Sequence, residues 1–155
     1  MAHIHDKIDF TVGALIVHDG RVCLVHHKKL DLWVTPGGHI ELDEDSDQAL
    51  FREIEEETGL RREDLEIFSE REDFSTKTEA KALYRPQWMN IHPFDNHHKH
   101  VVLEYILRSK SERLKLAPLE HHNIRWFKAE ELEGSEWNIP NELRWYAKEA
   151  IKIVA

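Results

Sequence analysis

Glu53, Glu56 and Glu57 are spaced so that a helix turning about 100° per residue carries three carboxylates on one face. Side chains three and four residues apart have Cβ atoms about 5–6 Å from each other, so these charges repel unless a cation lies among them. A hard divalent ion suits the position, because Mg²⁺ takes carboxylate oxygens and keeps water positions free for a phosphate ligand. The chemistry within reach is metal-assisted work on a phosphate compound. Glu55 points off this face and reads as an ordinary solvated charge.

Such a face needs a helix with defined ends. Asp45, with Gln48 three residues on, predicts its start, since a cap side chain and a reciprocating partner satisfy the first free N–H groups. Gly59 predicts its stop, because glycine readily takes the left-handed conformation just past a helix. Leu50, Phe51 and Ile54 form the stripe expected to face the core. Upstream, Leu32–Gly38 reads as a short strand breaking into the loop that feeds the helix.

From Gly38 to Leu60 the chain reads Gly-x5-Glu-x7-Arg-Glu-apolar-x-Glu-Glu-x-Gly-apolar, with Gly38, Glu44, Arg52, Glu53, Glu56, Glu57 and Gly59 at the seven fixed positions. At about 6% usage for each residue type, a chance match at a given start is on the order of one in 10⁸. The stretch resembles the signature of the Nudix hydrolases, and Trp33-Val34-Thr35-Pro36-Gly37-Gly38 is similar to the approach segment of many members. The resemblance implies hydrolysis of a diphosphate linkage in a nucleoside diphosphate derivative, with Mg²⁺ or Mn²⁺. It further implies that Glu56 and Glu57 are the principal metal ligands and that Glu53 is a further ligand or the general base. Arg52 is then expected to hold Glu53 by a charge-assisted hydrogen bond, Glu44 to support Arg52 or the metal shell, and the Gly38 carbonyl to add a ligand. The late run Glu120-His121-His122-Asn123-Ile124-Arg125-Trp126-Phe127 resembles a segment that makes Glu120 a second candidate for metal ligand or base, competing with Glu53.

At 155 residues the chain predicts one domain over 1–155 with a sizeable core. Its net charge of −9, from 30 acidic against 21 basic residues, argues against a surface that grips nucleic acid through phosphates. A small nucleotide remains compatible, its charge being met by metal ions. No apolar run approaches the roughly 20 residues of a membrane span, and Met1–Asp6 lacks the basic start and apolar stretch of a signal peptide. One cysteine, Cys23, allows no internal disulfide and reads as buried filler, so a cytoplasmic setting is the default.

Phe10–His18 and Arg21–His27 read as strands joined at Asp19-Gly20, a two-residue hairpin signal. Leu65–Thr78 predicts one or two strands, Val101–Arg108 an interior strand, and Asn138–Val154 a closing helix with Pro140 in its first turn. Between Ala80 and His100, where Nudix proteins vary their substrate loops, Tyr84, Trp88 and Phe94 are candidates to stack a base or to pack on the domain. Arg85 is the candidate phosphate cation there. His97, His98 and His100 lack a cysteine partner and read as a solvated loop or a pH-sensitive substrate contact rather than a zinc site. The order of elements fits an α/β protein, and the resemblance implies an α/β/α sandwich around a mixed β-sheet, in proteins that are often homodimers. A nucleoside triphosphate, an oxidised one included, leads the substrate classes, followed by ADP-ribose or a nucleotide sugar. The rivals are a Nudix-fold nucleotide-binding module without turnover and a purely structural cation-binding domain.

Overall fold

Asp19 and Gly20 take positive φ angles of 48° and 71°, and this two-residue turn joins β1 (Ile8–His18) to β2 (Arg21–His27) with His18 opposite Arg21. The two strands then diverge. β2 continues with β3 (Leu32–Val34) on one side and β8 (His121–Lys128) on the other, while β1 pairs antiparallel with β4 (Gly37–His39). Its other edge runs parallel to β7 (Lys99–Ser109) over ten residue pairs, from Ile8 with Lys99 to Val17 with Arg108. β7 also pairs with β5 (Leu65–Ile67) and with β6 (Trp88–Pro93), which completes a mixed eight-stranded sheet in this computed structural model, where residues 3–74 and 78–155 are described.

Two helices cover the sheet from opposite sides. α1 (Ser46–Thr58) buries Ala49, Leu50 and Ile54 against Val12, Ala14, Ile16 and Cys23. α2 (Asn141–Val154) buries Leu143, Ala147, Ala150 and Val154 against Leu15, Val22, Leu24 and Phe127. The result is an α/β/α sandwich around a mixed sheet. Cys23 is fully buried and its thiol pKa is pushed up by that burial, so it fills space.

The ends of α1 follow from local chemistry. Asp45 accepts from the Gln48 backbone N–H at 2.9 Å and the Gln48 side chain accepts from the Asp45 N–H at 2.9 Å, a complete capping box. Gly59 closes the helix at φ 75° with its N–H on the Glu55 carbonyl. Asp45→Ala is expected to lower stability by about 1 kcal/mol, a fall in Tm of about 2–4 °C for a chain of this size; an unchanged melting curve would remove the cap from the stability of α1.

The structure refines some expectations and corrects others. Phe51 packs against the same core cluster as Leu50 and Ile54, as expected, but is half-buried, with the Arg62 guanidinium 4.2 Å from its ring. Pro140 precedes the last helix as its cap residue, at φ −55° and ψ 143°, rather than lying in its first turn. Leu65–Thr78 supplies one strand among the described residues, Leu65–Ile67, within the one or two expected; residues 75–77 lie outside those described, as do Met1 and Ala2 of the amino-terminal reading. The region read as a substrate loop contains a true strand, β6.

Candidate active site

Arg52 ties the acidic face together. Its Nε donates to Glu44 at 2.9 Å, its Nη1 to Glu53 at 2.9 Å and to Glu56 at 3.2 Å, and its Nη2 to the carbonyl of His39 at 3.0 Å. One guanidinium thus spans three carboxylates and locks α1 to β4. The Glu44 carboxyl is held below its usual range by this hydrogen bonding, and the guanidinium is raised in turn by Glu44. Burial, and then the neighbouring Glu57 charge, pushes Glu53 up to about 7. Glu57, 4% exposed, is raised by burial, against the lowering effect of the nearby His121.

Gly38 lies where a Cβ would push aside the Glu53 carboxylate that Arg52 holds in place. β4 therefore passes close against α1, and the Gly37 N–H reaches Glu57 at 3.3 Å. Glu53, Glu56, Glu57, Glu120, Gly38 and Arg52 all line one cavity of about 360 Å³, with His3, His27, His39 and His121 on its walls. Glu120 is exposed at the rim. Among the described residues, Arg52 is the one Lys or Arg on these walls, facing five glutamates once Glu41 is included.

The donor set fits a hard divalent cation. Two buried carboxylates with raised pKa values lie beside an exposed third, and one already committed guanidinium leaves their charge unmet. Ligand atoms of Glu57, Glu120 and His121 also lie within 4.8 Å of one another. His121 escapes sequence reasoning: it is 1% exposed, with Nε2 3.1 Å from Glu57 but without hydrogen-bond alignment to it. The available signal was its place next to Glu120 at the start of a strand.

The structure does not bring Tyr84, Arg85 or Trp88 to the carboxylates. The Tyr84 ring packs on the α1 side of the core under Arg71, and its N–H is donated to Asp47 at 3.1 Å. Arg85 is exposed and paired with Glu70 at 3.5 Å. Trp88 stacks on Tyr146 with centroids 4.9 Å apart, on the α2 side. Phe94 does line a second cavity of about 370 Å³, which shares Gly37, Gly38 and Thr35 with the first and adds Asn90, Glu104 and Tyr146.

The NUDIX domain family model matches residues 7–148. The chain belongs to the NUDIX family. A NUDIX-family hydrolase from Clostridium perfringens superposes with a TM-score of 0.82 at 27% identity, over 95% of this chain and 98% of that one. A NUDIX domain of Shewanella oneidensis NrtR, solved with ADP ribose, superposes with a TM-score of 0.68 at 16% identity, covering 97% of this chain and 91% of that one, and so shares the NUDIX fold. An RNA pyrophosphohydrolase of Pseudomonas putida is 41% identical over 59 residues, 37% of each chain. The chain thus spans little more than a third of the curated NUDIX relative it matches there. No helix among the described residues is long and apolar enough to cross a membrane.

Proposed function

We propose that the chain hydrolyses a diphosphate linkage in a small nucleoside diphosphate derivative, first among them a nucleoside triphosphate, oxidised forms included, in a reducing cytoplasmic setting. The observation that carries this reading is the charge imbalance of the first cavity: five glutamates line it against one guanidinium, which is already engaged by two of them, Glu53 and Glu56, and by Glu44. A polyphosphate enters such a cavity only with cations, so turnover depends on Mg²⁺ or Mn²⁺. Glu53, Glu56, Glu57 and the Gly38 carbonyl are the residues to hold the ion, with His121 and Glu120 at the second edge. When bound, it supplies charge neutralisation and Lewis acidity at the phosphate oxygens.

The chain's own residues do the rest. Arg52 fixes Glu53 against β4, and Glu44 fixes Arg52, so a carboxylate oxygen is held at the cavity wall to take a proton from the attacking water. Glu120 is the competing base from the rim. The second cavity takes the base: Phe94 and Tyr146 offer ring surface, and Asn90 and Glu104 offer polar groups to its edge. Phe10 on β1 and Met89 and Ile91 on β6, exposed on the two strands that flank β7, are the apolar residues that a homodimer contact would cover.

The test is phosphate and pyrophosphate release across nucleoside triphosphates, oxidised triphosphates, ADP-ribose, nucleotide sugars and dinucleoside polyphosphates, with and without Mg²⁺. Turnover of one class that disappears on chelation is the expected result. Silence across the panel with metal bound would overturn the enzyme reading in favour of a binding module, and sedimentation of the same sample reports the dimer.

A further inference from the structure

Asp9 is fully buried at the centre of a histidine cluster that the diphosphatase reading leaves unused. Its Oδ1 accepts from the backbone N–H of Ile4 at 3.1 Å and of His5 at 2.7 Å. Its Oδ2 meets three imidazoles: His39 Nε2 at 2.9 Å, His98 Nε2 at 3.0 Å and His3 Nδ1 at 3.4 Å. His100 joins through strand register, being the direct partner of Asp9 across the parallel pair of β1 and β7. The reading of His97–His100 as a solvated loop holds only for His97, since His98 and His100 are 3% and 7% exposed.

This packing leaves buried nitrogens without partners. Neither His98 Nε2 nor His100 Nε2 makes a hydrogen bond, although the first lies 3.0 Å from a carboxylate oxygen. His98 Nδ1 faces the Asp6 carbonyl at 3.4 Å, which is where its N–H belongs. The Nε2 lone pair then points at Asp9, and two acceptors so close in a buried site repel unless a cation joins them. The His3 and His98 rings, 3.6 Å apart between centroids, tighten the same demand.

We propose that His3, Asp9, His98 and His100 form a second metal site, separate from the α1 carboxylates, for an ion of the Zn²⁺ class. One ligand atom from each lies within 4.8 Å of the others. Ligands about 2.0–2.1 Å from a tetrahedral zinc stand about 3.3–3.4 Å from each other, so the spacings of His98 and His3 to Asp9 are already close to that geometry and the rest needs small side-chain rotations. Three imidazoles and one carboxylate make a softer set than the glutamates of α1 and select zinc over magnesium. The amide hydrogen bonds on Asp9 Oδ1 and the Asp6 carbonyl behind His98 orient the ligands from outside. Such an ion ties the amino-terminal segment to β7. It also stiffens the partition between the cavities, because His3 lines the first and His100 the second.

The site does not depend on the diphosphatase reading, and its test needs no substrate. The full chain, stripped by chelator and held in saturating Mg²⁺ so that the α1 face is filled, is titrated with Zn²⁺ by calorimetry. One Zn²⁺ per chain with a Kd at or below about 1 µM is expected, and X-ray absorption should show imidazole nitrogens at about 2.0–2.1 Å. His98→Ala should weaken uptake at least 100-fold. His3→Ala, which removes an exposed ligand and leaves the core intact, should weaken it at least tenfold, and Glu57→Gln should leave it unchanged. Absence of stoichiometric uptake, uptake unmoved by His3→Ala in the folded chain, or uptake abolished by Glu57→Gln would each overturn the proposal.

Discussion

Glu57→Gln is expected to lower kcat by about 10³-fold or more, equivalent to about 4 kcal/mol of lost transition-state stabilisation, while the melting temperature stays level or rises. Glu57 is buried, accepts from the Gly37 N–H and lies beside His121. The amide keeps its size and that acceptor, and removes only the charge proposed to hold a cation. It also removes a like charge next to Glu53, so the Glu53 carboxyl should titrate nearer its ordinary range in the metal-free variant. Steady-state kinetics at saturating Mg²⁺ and carboxyl titration by NMR check the two halves separately. Turnover within tenfold of wild type would remove Glu57 from the metal-binding set.

Glu104→Gln is expected to stabilise the metal-free chain at about pH 8 and to have little effect at about pH 5. Glu104 is buried on β7, with Oε2 unpartnered, and burial raises its pKa from 4.5 to about 7. The folded state therefore keeps its proton over a range in which the unfolded state has lost it. Stability from this group is complete below 4.5 and is lost as pH rises through about 7, a difference of up to about 3 kcal/mol. Glutamine stays neutral throughout, so the gap in Tm between variant and wild type should open with pH, by up to about 6–12 °C. Equal gaps at the two pH values would show that Glu104 is not held protonated by the fold.

What could be read in the sequence was local. The box helix was legible because its cap, its periodicity and its Gly59 stop are all written within fifteen or so residues, and the first hairpin because Asp19-Gly20 admits few other conformations. β4 was not legible as a strand: Gly37 and Gly38 carry no strand preference, and they extend only because β1 offers them partners at Gly13 and Val12. Tyr84 and Trp88 were ambiguous between ligand and core, and residue type could not say that opposite faces of the sheet claim them. His121 and Asp9 depend on contacts across the fold, with Glu57 and with His98, and no spacing along the chain encodes those.

The parallel pairing of β1 with β7 has a consequence for how the molecule reaches this state. Every partner in that ladder is 91 positions away, as Ile8 is from Lys99. Closing so long a loop is entropically slow, and a topology dominated by such distant pairs folds on the millisecond-to-second scale rather than in microseconds. On the ribosome the box helix can form early, yet β1 has no parallel neighbour until residue 109 has emerged. Leu15 and Val17, which pack with α2 in the folded chain, lack that cover through the interval and stay open to a chaperone or a misfolding partner.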